Sequence, residues 1–305
     1  MVSKKANVEL KGIMPALCTR YESGGEVATS GLEEWLNWYL DAGCTGFFVG
    51  GSTGEGPLQS VEERCVYLKA VIDAVGDRAT VIAHVGAVAT ADACEIARFA
   101  SDAGADMVGS VLPIYYRVGP DATVDYYRAI AEAADVPVLV YYLAKTGAKL
   151  DPQEFASRLA SIPQVAAMKY TSADLEVFRK VIELTDHSLS MVMGCDQLFL
   201  PALTMGADAA IGSTYNFMPE IFVGIHRHYL AGEIKQAQKL MERAFEVIYF
   251  LKRKYNMMGA VREILRLRGF DTGEPRPPLQ ALTEAQKKEL PGDLEELGFF
   301  EPPIR

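Results

Sequence analysis

Val165-Ala166-Ala167-Met168-Lys169-Tyr170-Thr171 is a run of small and apolar residues with a lysine near its end. Such a run reads as a short buried strand, and because side chains alternate faces along a strand, Val165, Ala167, Lys169 and Thr171 are expected on one side. That places a lysine on a buried face. An ammonium without a partner is costly to remove from water, so a lysine held there is expected to act as a neutral amine, able to attack a carbonyl and form a Schiff base. For the heptapeptide alone the plainer alternative is a solvated charge whose stem covers apolar surface. The rest of the chain decides between them.

Outward from this run, similar apolar stretches recur with helical patterns between them: Ile13 to Leu17, Gly46 to Gly50, Thr80 to His84, Met107 to Val111, Val138 to Tyr141, then Val165 to Lys169, Met191 to Met193 and Ala209 to Ile211. Strands alternating with helices at intervals of roughly 20 to 35 residues mark a parallel sheet, and eight of them predict an α/β fold, the (β/α)8 TIM barrel. The helices announce their starts. Ser30-Gly31-Leu32-Glu33 and Ser60-Val61-Glu62-Glu63 read as capping boxes, and Asp151-Pro152-Gln153-Glu154 offers an N-cap followed by proline at the first helical position. Past Ile211 the pattern turns helical, through a Pro-rich joint at Glu274-Pro275-Arg276-Pro277-Pro278 to a last short helix that Thr283 and Gln286 can box. The expected organisation is a barrel core over 1–217 and a C-terminal helical extension over 218–305, packed together as one structural unit.

Composition bounds the function. The chain has 305 residues, 50% of them hydrophobic, with a formal charge of -10 and a pI near 5.0, so no nucleic-acid or anionic-membrane surface is expected. Neither a secretory signal nor a bilayer-spanning run is read, which predicts a cytoplasmic protein. Cys18, Cys44, Cys65, Cys94 and Cys195 are scattered without a Cys-x-x-Cys pair, and His226 and His228 stand two apart in a helical pattern, on different faces; neither set suggests a metal site.

In a barrel, catalysis belongs at the carboxyl ends of the strands. After the second strand comes Gly50-Gly51-Ser52-Thr53-Gly54-Glu55, where glycines admit a ligand to the backbone and Ser52 and Thr53 add hydroxyls, so a carboxylate can be held without a cation. Gly50-x-Ser52-x-Gly54 also matches the nucleophile elbow of serine hydrolases, a short pattern here preceded by only one strand. After the fifth strand stand Tyr141 and Tyr142, one directed into the barrel and one toward the helices; parity alone does not say which. A phenol near an amine can move protons as a general acid and base. After the seventh and eighth strands, Gly194-Cys195-Asp196-Gln197 and Gly212-Ser213-Thr214-Tyr215-Asn216 together form a polar rim, although Asp196 and Ser213, each taken alone, read better as helix N-caps.

Gly51-Ser52-Thr53-Gly54-Glu55, the Tyr141 strand, Lys169-x-Thr171, Gly194-x-Asp196 and Ile211-Gly212-Ser213-Thr214-Tyr215-Asn216 resemble, in order and spacing, the N-acetylneuraminate lyase branch of the N-acetylneuraminate lyase and dihydrodipicolinate synthase superfamily. The likeness spans nearly the whole chain. It implies that Lys169 forms the Schiff base with a 2-oxo acid, that Ser52 and Thr53 bind its carboxylate, and that Tyr141 moves the proton. Thr171, Gly194, Asp196, Gln197 and Ser213 are implied to hold the hydroxylated tail. Tyr115 is similar to a family tyrosine that reaches a neighbouring subunit's site, so a homotetramer is implied, with no metal and no cofactor beyond the covalent imine. Two departures stand out: Gln197 replaces the usual Glu of the sialic acid lyases, and Lys145 stands where the lyases are apolar. The expected activity is a class I aldolase cleaving N-acetylneuraminate or a related 2-oxo-3-deoxy sugar acid to pyruvate and an aldehyde. The alternatives are a Schiff-base synthase or dehydratase acting on a dicarboxylic or shorter 2-oxo acid, motivated by Lys145 and Gln197, and a non-catalytic 2-oxo acid binder.

Overall fold

The computed structural model describes residues 9–116, 118–144 and 151–301. Lys145 lies outside them. Eight parallel strands are present, β1 Gly12–Pro15, β2 Gly46–Val49, β3 Thr80–His84, β4 Met107–Val111, β5 Val138–Leu143, β6 Val165–Thr171, β7 Ser190–Met193 and β8 Ala209–Gly212. The helices following them are α1 Leu32–Asp41, α2 Val61–Val75, α3 Thr90–Ala103, α4 Pro120–Ala133, α5 Pro152–Ala160, α6 Leu175–Leu184, α7 Phe199–Met205 and α8 Pro219–Leu230, and then come α9 Ile234–Lys254, α10 Met257–Leu267 and α11 Glu284–Glu296. Neighbours run β1-β8-β7-β6-β5-β4-β3-β2. The ring closes where Ala16 bridges Phe48 and the Leu17 amide donates to the Phe48 carbonyl at 2.9 Å. This is the TIM barrel, with each predicted strand in place.

Of the four helix starts predicted from sequence, three form as read and one does not. Ser60 and Glu63 exchange reciprocal side-chain to backbone bonds at 3.1 and 2.9 Å, Thr283 and Gln286 do the same at α11, and Asp151 accepts from the Gln153 and Glu154 amides. The Ser30 box does not form. The cap of α1 is Gly31, left-handed at φ 67°, with no side-chain bond, and the Ser30 carbonyl accepts from the Arg20 guanidinium. A capping side chain must leave the extended residue directly before the first turn, and the left-handed Gly31 pushes Ser30 one place too far back.

The sheet separates two apolar clusters. Inside the ring lie Met14, Phe48, Ile82, Met107, Leu139, Tyr141, Ala167, Val192 and Ile211, while Phe47, Val49, Val140, Met168, Tyr170 and Met193 pack outward against the helices. Each fully buried large apolar side chain of this kind contributes about 1.5–3 kcal/mol. One strand breaks simple alternation. The β5 to β6 pairing steps from Val138↔Val165 to Leu139↔Ala167, so Ala166 is an extra residue, a bulge. Val165 therefore packs with the outer cluster and does not share the face of Ala167 and Lys169. Beyond the bulge the alternation resumes, and it puts Lys169 directly opposite Tyr141. Among the described residues no helix is long and apolar enough to cross a membrane.

Candidate active site

At the carboxyl ends of β5 and β6 the lumen narrows around one amine. Lys169 is 4% exposed, and its Nζ lies 4.1 Å from the centroid of the Tyr141 ring and 4.6 Å from that of Phe48. Among the described residues it has no carboxylate within ion-pair distance. Tyr141 is the tyrosine that points inward, beside Leu139; Tyr142 points outward and stacks on Tyr170 at 5.2 Å. The bulge and the register settle what parity left open.

Around this amine the strand-end residues gather as a rim. Thr171 continues β6, and its Oγ1 is buried without a hydrogen-bond partner, pressed so closely on Gly194 that a Cβ there would lie 1.9 Å away. Only glycine fits. Asp196 is buried, and its Oδ2 accepts from the Thr214 amide at 2.8 Å and the Thr214 hydroxyl at 2.7 Å, which ties the β7 loop to the β8 loop. Burial raises its pKa, against the Thr214 bonds and the Lys169 charge. Gln197 and Ser213 are half-buried on those two loops. Asn216, fully buried, locks the β8 loop to β1 by accepting from the Cys18 amide at 3.0 Å and donating to the Ala16 carbonyl at 2.8 Å.

The Gly-Ser-Thr turn follows β2. Ser52 is exposed and Thr53 buried, and the turn closes through Glu55 N to Ser52 O and Gly56 N to Gly51 O, both 3.1 Å. Among the described residues no hydrogen bond joins the Ser52 hydroxyl to a histidine, so the relay that a serine-hydrolase elbow needs is not formed. Tyr115 lies on the loop after β4, 77% exposed, its ring touching Tyr116 at 5.0 Å. His228 is buried beside Glu233 and His226 rests near Phe199, on separate faces of α8; among the described residues no group of three or more His, Cys, Asp or Glu is arranged to hold a metal ion.

His84 is a site-facing residue that the strand-end reasoning passed over. It ends β3 and is 3% exposed, with its ring edge-on to Phe48 at 5.6 Å and to Tyr141 at 6.4 Å. The Val111 amide can only donate to Nε2, at 3.3 Å, so Nδ1 carries the proton and donates to the Gly50 carbonyl at 3.1 Å. Both nitrogens are used by the neutral ring. Burial, helped by the Arg64 and Lys169 cations, holds its pKa well below the ordinary 6.5. The Arg64 guanidinium donates to the carbonyls of His84 and Gly86 at 2.6 and 3.0 Å. His84 thus joins the turn after β2 to β4 across the back of Tyr141. A histidine closing a strand of a predicted barrel was the available signal.

Comparison with known proteins places these features in a wider set. A model of the dihydrodipicolinate synthetase family matches residues 9–297. An N-acetylneuraminate lyase of Rhizobium meliloti is 32% identical over 279 residues, covering 91% of this chain and 92% of that one. A 4-hydroxy-tetrahydrodipicolinate synthase of Methanopyrus kandleri is 30% identical over 294 residues, 96% of this chain and 98% of its own. Among solved structures, Proteus mirabilis N-acetylneuraminate lyase superposes with a TM-score of 0.91 at 27% identity, over 96% of this chain and all of that one (100%). With strands, tail and site-bearing loops all inside the matched span, the chain belongs to the dihydrodipicolinate synthetase family.

Proposed function

We propose that this protein is a class I aldolase that cleaves a 2-oxo-3-deoxy sugar acid, N-acetylneuraminate or a close relative, to pyruvate and an aldehyde. The observation that carries the reading is the Lys169 amine, buried and, among the described residues, without an anionic partner, over the face of Tyr141 in the barrel lumen. Enzymes of this superfamily form a Schiff base between a lysine and pyruvate and use no external cofactor. In the reaction the Lys169 nitrogen attacks C2 of the substrate and water leaves, giving an imine whose protonated form draws electrons from C3. Tyr141 takes the proton of the C4 hydroxyl as the C3–C4 bond breaks; the aldehyde departs, the enamine is reprotonated at C3, and hydrolysis frees pyruvate.

In this scheme Ser52 and Thr53 hold the 2-oxo acid carboxylate. Thr171, Gly194, Asp196, Gln197 and Ser213 hold the hydroxylated tail. Tyr115, exposed in the single chain, completes a neighbour's site in a cytoplasmic homotetramer, and the barrel over 1–217 works as one unit with the helices over 218–305. The second reading keeps the imine and replaces the sugar acid by a dicarboxylic or shorter 2-oxo acid. It is favoured by Gln197, which hydrogen-bonds a hydroxyl but brings no charge, and by the likeness to a synthase as well as a lyase. A turnover screen over sugar acids and dicarboxylic or shorter 2-oxo acids, reading pyruvate release, pyruvate consumption with an aldehyde, and loss of water, separates the two. Release from N-acetylneuraminate or a related sugar acid supports the aldolase; turnover confined to the dicarboxylic or shorter acids moves the assignment to a synthase or dehydratase.

A further inference from the structure

Glu55, the last residue of the Gly-Ser-Thr-Gly-Glu turn, is held in a way that ordinary turn chemistry does not require. Its φ is 57°, in the left-handed region where glycine is the easy choice, and its carboxylate is completely buried (0% exposed). Oε1 accepts from both Arg262 Nε at 3.1 Å and Nη2 at 2.5 Å, two charge-assisted bonds on one oxygen. Oε2 accepts from the Arg276 amide at 2.8 Å. Arg262 lies on α10, 207 residues downstream, and is itself anchored by the Thr272 carbonyl at 2.5 Å. The Arg276 guanidinium reaches the carbonyls of Leu58 and Gly25. Both guanidiniums face the Tyr21 ring, at 5.0 and 4.6 Å.

We propose that Glu55 and Arg262 are positioning residues which hold the Ser52–Thr53 turn in the shape that receives the substrate carboxylate, making α10 a working part of the binding site. The proposal deepens the Schiff-base reading and rests on it. A carboxylate receptor built from hydroxyls and backbone groups has no cation of its own to offer, so its affinity depends on where those donors point. Glu55 donates its amide to Ser52 O at 3.1 Å, so any movement of the residue is passed directly to Ser52. A buried ion pair adds little net stability over apolar packing; what it supplies here is a fixed direction, since two Arg262 nitrogens donate to Oε1 while the Arg276 amide donates to Oε2, which holds both carboxylate oxygens.

The test is borohydride trapping of the Lys169 imine against increasing pyruvate, with hydroxyacetone as a ketone that lacks the carboxylate. Two variants are compared: Arg262→Lys, which keeps a cation but loses the fork, and Glu55→Gln with Arg262→Met, which leaves no unpaired buried charge. The expected result is a half-saturating pyruvate concentration raised by at least about tenfold, with the yield at saturation and the trapping of hydroxyacetone unchanged. Unchanged half-saturation in a variant that melts like the wild type, or equal weakening for both ketones, would overturn the proposal alone. A wild-type protein that yields no Lys169 adduct overturns the Schiff-base reading and the proposal together. The wild type also gives an answer without variants. Pyruvate is expected to slow amide hydrogen exchange in 50–56 and in 258–276 together, and protection confined to 50–56 contradicts the proposal.

Discussion

Two faces of the same pair of strands carry two pairs of aligned side chains. On the inner face Tyr141 is opposite Lys169, and on the outer face, one residue on, Tyr142 is opposite Tyr170. The inner pair sets an amine over a phenol ring in a confined lumen. The outer pair is two rings stacked at an interplanar angle of 11°, flanked by Phe155 and Phe178, and the Tyr170 hydroxyl is occupied with the Asp174 carbonyl at 3.0 Å. Each face carries a β5 tyrosine, set against a lysine inside and a second tyrosine outside. What separates the proposed proton carrier from a packing tyrosine is the face it occupies and whether its neighbour is an amine or another ring.

The contrast is broken most sharply at the hydroxyls. Tyr141→Phe removes the proposed proton carrier and is expected to lower the turnover number about 10²–10⁴-fold while the Lys169 imine still forms with pyruvate, whereas Tyr142→Phe leaves turnover within about a factor of two, since its ring does not face the amine. Steady-state pyruvate release measures both, and equal losses would erase the distinction. On the packing face, Tyr170→Ala empties a fully buried site and is expected to cost about 3–5 kcal/mol, read as a shift in the denaturant midpoint. A Tyr170→Ala protein as stable as wild type would show the outer stack to be incidental.

The smallest expected effect belongs to the residue behind the inner pair. His84 faces Arg64, Lys169 and Tyr141, and its pKa is held well below 6.5, so the folded state keeps it neutral while the unfolded chain protonates it below that value. The unfolded state then binds more protons. Stability from this residue is therefore complete above about pH 6.5 and is lost as pH falls, by at most about 1.4 kcal/mol per pH unit. Melting temperatures from pH 7 to 5 are expected to fall more steeply for wild type than for His84→Gln; parallel curves would mean that His84 titrates normally in the fold.

How much of this was legible depends on the range over which each signal acts. The eight strands, the caps at Ser60, Asp151 and Thr283, and the lysine at the end of β6 are local patterns, and each appears where the residues put it. Strand parity is local too, but it sorts residues into two sets without saying which set faces the lumen, so Tyr141 and Tyr142 were separable only once the ring closed. The bulge at Ala166 left no compositional mark, and it moved Val165 to the opposite face from Lys169. At α1 the left-handed Gly31 outranked the Ser30 pattern. Glu55 could be read as the end of a turn motif, but its partner Arg262 belongs to a helix of the C-terminal extension, far from that turn along the chain. Contacts across 207 residues are set by tertiary closure, which no window of sequence contains.

The central claim is that the Lys169 nitrogen is the nucleophile. Reduction by borohydride in the presence of pyruvate, followed by peptide mass spectrometry, tests it directly. The account predicts a reduced pyruvate adduct on the peptide carrying Lys169, absent from Lys169→Arg. An unmodified Lys169 peptide, or an adduct of equal yield in Lys169→Arg, would contradict it.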